Sequence, residues 1–210
     1  ALIEQYNLPH EVIPNELKGN KSIWEALAVR MPLGALIRNL PKITSVGALD
    51  NPSVLKELVN RLTNEAGIRK ARIHPINILK AMKAYRVGHN RNMNWAPNRA
   101  IVDALDKAYY LSYGNVEASG KRILLALDTS GSMNGMVLGM DNMNAREASC
   151  ALALPTLAVE DNAKVVFFTT RVAETDMSSR QRLDDAVRLS AENTGGTDIS
   201  CPIQYALDNK

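Results

Sequence analysis

The sequence has little cysteine, little histidine and no long apolar run, and each scarcity closes off a class of protein. Its 210 residues contain two cysteines, Cys150 and Cys201, in apolar, helix-like surroundings without the spacing of a metal cluster. They read as reduced, buried thiols of a cytoplasmic protein, with a disulfide between them as the alternative that nothing in the sequence supports. The three histidines, His10, His74 and His89, show no paired acid–base spacing, so no catalytic residue is assigned and an RNA-processing enzyme is disfavoured. No apolar stretch approaches the ~18 residues of a membrane span. No charged-then-apolar leader opens the chain. It begins with Ala1 and stops inside a helical pattern, which leads us to expect a fragment cut at both ends.

What is present divides in two. Apolar residues make up 46% and charged residues 22%, ordinary for globular domains. Residues 1–120 carry 16 Lys/Arg against 10 Asp/Glu, whereas residues 121–210 carry 9 against 12. A basic half joined to an acidic half implies two domains with different partners, the basic one compatible with a polyanion.

The first half reads as short helices with proline and glycine punctuation. Ser22 and Glu25 have capping-box spacing ahead of Trp24, Leu27 and Ala28. Pro32 opens a helix carrying Leu33, Leu36, Ile37 and Leu40, and Pro41 is expected to stop it. Asn51-Pro52 opens a third, His74-Pro75 a fourth that Gly88 ends, and Pro97 a last one carrying Ile101, Leu105 and Tyr109. None is long enough to be stable alone. Paired, they would bury their stripes as HEAT-type repeats do, giving a helical segment over residues 1–115.

The pattern changes after the connector 116–120. Ile123–Leu127 is a continuous apolar run, expected of a strand buried on both faces of a parallel sheet. Ala145–Val159 reads as a helix, Ala163–Phe168 as a second buried strand, and Leu183–Leu189 and Ile203–Leu207 as further helices. The alternation predicts an α/β domain over residues 121–210.

Asp128 directly follows the first strand, where open α/β sheets place ligands. Asp128, Ser130 and Ser132 put one carboxylate and two hydroxyls on a single turn that Gly131 eases. Thr197, in Gly195-Gly196-Thr197-Asp198, brings a third hydroxyl from another loop. Such a set suits Mg²⁺ or another hard divalent cation. The alternative is that the two serines merely cap a turn. An aspartic-protease loop is excluded, because Ser130 intervenes between Thr129 and Gly131.

Lys121 through Met133 resembles the opening of a von Willebrand factor A domain with its metal-ion-dependent adhesion site. That resemblance implies Asp128, Ser130, Ser132 and Thr197 as four ligands. A fifth, an Asp after a later strand, would fall beyond Lys210, so the domain is expected to be truncated at its C-terminal end. In the helical half, Trp24-Glu25-Ala26-Leu27, Met31-Pro32-Leu33, Leu36 to Leu40, Lys70 to Pro75, Tyr85, Gly88-His89, Trp95 and Pro97 resemble the TROVE module of the Ro ribonucleoprotein family. The resemblance continues in order to Gly195-Gly196-Thr197-Asp198.

What that family implies is a ring of HEAT-like helices closed by the von Willebrand A domain, with half the ring absent here. It also implies binding of small noncoding Y RNAs and of the ends of misfolded RNAs in RNA quality control, with no DNA and no membrane partner. Two clusters are candidate RNA contacts: Arg69, Lys70, Arg72 and His74, and then His89 and Arg91 with Trp95 nearby. Cations neutralise phosphates, and an aromatic can stack on an unpaired base. The plainer alternatives are a solvated helix end for 69–74 and a packing anchor for Trp95. The rival function is a metal-dependent protein-interaction module of von Willebrand A type that ignores RNA.

Overall fold

Asparagine starts most helices of the first half. In the computed structural model, which describes residues 5–6, 8–191 and 195–209, the chain divides into two units at Asn115/Val116. The first unit holds α1 (Lys21–Ala28), α2 (Leu33–Ser45), α3 (Pro52–Leu62), α4 (Glu65–Ala71), α5 (Pro75–Val87) and α6 (Arg99–Leu111). Side chains of Asn20, Asn51, Asn64 and Asn98 each accept a backbone N–H at the start of α1, α3, α4 and α6. Each thereby satisfies an amide that has no partner inside the helix.

Three expectations about helix ends need correction. The cap of α1 is Asn20, whose Oδ1 accepts from Ile23 N at 3.3 Å; Ser22 lies inside the first turn. Pro97 stands outside α6, where Asn98 accepts from Ala100 N at 3.0 Å. Pro41 does not stop α2, which continues to Ser45. Leu40 and Ile43 on either side are fully buried, and that packing outweighs the one backbone hydrogen bond proline removes. Thr44 Oγ1 further anchors this last turn, 2.8 Å from Tyr85 Oη on α5.

The core of the unit is formed by the apolar stripes of these helices, with Ile68 added by α4, a helix the sequence reading does not predict. Leu36, Leu58, Leu62, Ile68, Ile78, Leu79, Ile101, Leu105 and Tyr109 are all essentially inaccessible. Fully burying one such aliphatic side chain is worth about 1.5–3 kcal/mol, so these stripes supply most of the cohesion.

The second unit runs β1 (Ile123–Asp128), β2 (Met136–Val137), β3 (Met140–Asn144), α7 (Ala145–Val159), β4 (Ala163–Phe168), β5 (Val172–Glu174), α8 (Leu183–Ala191) and α9 (Ser200–Asp208). β1 and β4 pair in parallel, with Asp128 opposite Phe168. β5 adds antiparallel to β4, so the sheet is mixed, in the order β1-β4-β5. β2 and β3 form a separate hairpin. Among the described residues β4 is the central strand, and Val165–Phe168 are buried. β1 is half-buried throughout, contrary to the double burial its apolar run predicts, and among the described residues it pairs only with β4.

Candidate functional site

The β1–β4 register brings Asp128 to the carboxyl end of the sheet, and the loop behind it is tied down from three sides. Thr129 is buried and donates from both N and Oγ1 to the Phe168 carbonyl, at 3.0 and 3.2 Å. Ser130 N donates to Asp128 Oδ1 at 2.7 Å, an Asx turn that folds the loop back over the carboxylate. Ser130 Oγ, on a buried residue, lies 3.0 Å from Ser132 Oγ.

The second loop docks on the same spot. Gly131 N donates to the Gly195 carbonyl at 3.2 Å, and Asp198 N donates to the Thr169 carbonyl at 2.8 Å. Thr197 Oγ1 thereby reaches Asp128 Oδ2, at 3.5 Å. All four residues read from the sequence as ligands meet at one place. Asp198 turns away: its Oδ1 accepts from Ser200 Oγ at 2.6 Å and Ser200 N at 2.9 Å. Those two bonds hold its carboxyl below the usual carboxylate range.

The donor chemistry fits a hard cation. Asp128 supplies one charge, and Ser130, Ser132 and Thr197 supply neutral oxygens. Mg²⁺ accepts few protein groups and keeps several waters, which suits a set with three hydroxyls and a single carboxylate.

One supporting residue escapes a motif-based reading. Arg146, near the start of α7, is 3% exposed. Its Nη2 donates to the carbonyls of Thr129 and Ser130 at 3.0 and 3.3 Å, and its Nη1 donates to the Ser190 carbonyl on α8 at 2.5 Å. Nε completes the set with Asn134 Oδ1 at 3.4 Å. The guanidinium thus fixes the backbone of the Asp128–Ser132 loop. The signal was present: Arg146, Cys150 and Ala153 share the buried stripe of α7, and a cation on an apolar stripe needs partners.

The candidate RNA contacts do not gather in one place. Arg69 stands 3.9 Å from Glu65 on its own helix. Lys70 lines a cleft with Arg61 and Glu57. Arg72 and His74 line a different groove together. His74 Nδ1 accepts from Ile76 N at 3.2 Å, so the imidazole caps α5. His89 and Arg91 belong to the exposed loop closed by the His89–Asn94 bridge. Trp95 is a packing anchor: it is 8% exposed, donates from Nε1 to the Tyr85 carbonyl at 2.8 Å and stacks on the Tyr85 ring. No face of it is offered to a base.

A helical unit followed by an α/β unit, with a hydroxyl-rich loop at the end of the first strand, defines the class: a TROVE segment joined to a von Willebrand A-type domain. Residues 9–87 match the TROVE domain and residues 122–210 the Ro60 vWA domain. The chain thus carries a TROVE segment and a Ro60-type vWA domain, in that order. It is 36% identical over 213 residues to the RNA-binding protein RO60 of Caenorhabditis elegans, aligning 100% of this chain with 33% of that one. It is 33% identical over 216 residues to the RNA-binding protein RO60 of Deinococcus radiodurans, 100% of this chain against 40% of the relative. The crystal structure of the Deinococcus radiodurans RO (RSR) protein superposes with a TM-score of 0.89 at 33% identity, over 99% of this chain and 43% of that one. The chain therefore spans a third to two fifths of the length of these curated relatives.

Proposed function

We propose that this chain is part of a non-enzymatic RNA-binding protein of the Ro type. The carrying observation is that two relatives named as RNA-binding proteins align along its whole length, through both units in the same order. The basic balance of the helical half supports the same reading, since phosphate neutralisation dominates affinity for nucleic acids. Small noncoding RNAs of the Y type and the free ends of misfolded RNAs are the expected ligands, met by HEAT-like helices in the cytoplasm.

Asp128, Ser130, Ser132 and Thr197 would hold Mg²⁺ in the same protein. The cation would order the two loops and attract an acidic group of a protein partner.

The test is binding of a structured RNA with a single-stranded 3′ tail, measured at two salt concentrations. Affinity that falls steeply with salt and depends on the free tail is the expected result. Salt-insensitive or absent binding would remove the RNA reading and leave the metal-dependent protein-interaction module.

A further inference from the structure

Three exposed cations and an exposed histidine, from three helical segments, converge on one groove of the first unit. Arg38 comes from α2, Arg72 from the C-terminal cap of α4, His74 from the N-terminal cap of α5 and Lys80 from α5 itself. The groove has a volume of about 930 Å³, and no carboxylate lines it. Among the described residues, Arg38, Arg72 and Lys80 make no ion pair, whereas Lys21, Arg69 and Arg99 each find an acid. Cations gathered without counter-charge repel one another, and a bound polyanion relieves that repulsion.

The shape of the groove narrows the ligand. Its floor includes Gly34, Ala71, Ala81 and Ala84. A Cβ on Gly34 would sit 3.7 Å from Arg38 Nη1 and 3.9 Å from Ile73 Cδ1, so the missing side chain keeps a slot open beside the guanidinium. With Nδ1 of His74 accepting from Ile76 N, its ring proton sits on Nε2, a donor even in the neutral form. No Phe, Tyr or Trp lines the groove. Base stacking there is left to the His74 ring and the Arg38 and Arg72 guanidinium planes, so contacts to the backbone carry most of the affinity. A space near the upper end of the small-ligand range of about 300–1,000 Å³ admits a short stretch of one strand, not a duplex.

We propose that this groove seats the phosphodiester backbone of single-stranded RNA. Arg38 and Arg72 pair with phosphate oxygens through their planar forks, Lys80 acts as a point charge and His74 donates a hydrogen bond. The proposal rests on the RNA-binding reading above and assigns it a place.

The test is fluorescence anisotropy of the full chain with a labelled oligouridylate of about twelve nucleotides, over a salt series. The double variant Arg38→Ala/Lys80→Ala should lose at least tenfold in affinity. Its slope of log K against log salt should become shallower by about 1.4, or ~0.7 for each lost phosphate contact on a single strand. Gly34→Leu, which fills the slot and keeps every charge, should also weaken binding. Lys56→Ala, on exposed α3 outside the groove, should stay within twofold of the wild type.

Thermal melts of all three variants keep folding separate from binding. Wild-type binding with an unaffected double variant would overturn the groove and leave the RNA reading standing. An equal loss in Lys56→Ala would mean diffuse attraction, and equal affinity for a duplex would refute the single-strand assignment. No RNA binding by the wild type would remove both readings together.

Discussion

Arg146 and Thr129 are seventeen residues apart, yet the Arg146 guanidinium donates to the Thr129 carbonyl at 3.0 Å inside the second unit. The same side chain reaches Ser130 and Ser190, so one cation joins the Asp128–Ser132 loop to α7 and α8. Arg146→Ala would leave buried carbonyls without donors, at about 1–3 kcal/mol for each group. The expected loss is about 3 kcal/mol, read from chemical unfolding of the second unit. A variant as stable as the wild type would mean that water replaces the guanidinium.

Removing the Asp128 carboxylate should weaken the proposed Mg²⁺ binding without unfolding the domain. Asp128→Ala is expected to weaken Mg²⁺ binding by at least tenfold in calorimetric titration, because Asp128 is the one anionic donor in the set. Thr197→Val deletes one neutral oxygen and should weaken it by only a few fold. Equal Mg²⁺ affinity in Asp128→Ala and the wild type would show that the loop is not a ligand set.

The start of the second unit carries an acid-sensitive clasp. Glu160, just after α7, accepts from Ser119 N at 2.5 Å and from Gly120 N at 3.2 Å. These bonds favour the ionised form and hold its carboxyl below the ordinary value of 4.5. A lowered folded-state pKa stabilises the protein above the unfolded value and ceases to do so as pH falls through the folded one. The stability gap between the wild type and Glu160→Gln should therefore be full at neutral pH. It should close progressively below pH 4.5. Parallel pH–stability curves for the two proteins would refute the clasp.

Tyr85 makes the corresponding test in the first unit. Its hydroxyl meets Thr44 Oγ1 at 2.8 Å and accepts from Asn98 N at 3.1 Å, linking the turn of α2 beyond Pro41 to the cap of α6. The residue is 1% exposed. Tyr85→Phe keeps the packing, leaves Asn98 N without this acceptor and takes one of two bonds from Thr44 Oγ1, which still donates to the Leu40 carbonyl, so a loss of about 1–2 kcal/mol is expected in urea unfolding. An unchanged midpoint would show that neither bond contributes.

How much of this was legible in the sequence depended on how local the cause is. Asp128, Ser130 and Ser132 sit on one turn, so spacing alone could group them, and the second loop brought in Thr197. The strand over Ala163–Phe168 and the helix over Ala145–Val159 were readable from apolar runs and flanking caps. Pro41 misled because its local cost is real, whereas the burial of Ile43 that overrides it is tertiary. Trp95 left two readings open until the Tyr85 carbonyl was seen to take its indole N–H. Arg38 and Lys80 were invisible as a pair, since they lie on different helices and only packing makes them neighbours.

Arg72 ends α4 in the left-handed region, at φ 50, the one non-glycine residue of positive φ among those described. Glycine would hold that conformation without the steric penalty of about 1–2 kcal/mol that a Cβ incurs, although a freer unfolded chain would offset part of the gain. The position is thus a point of conflict between durability and ligand capture. Arg72→Gly should leave the fold no less robust while stripping a cation from the groove, so selection for thermal endurance and selection for anion binding would pull this one site in opposite directions.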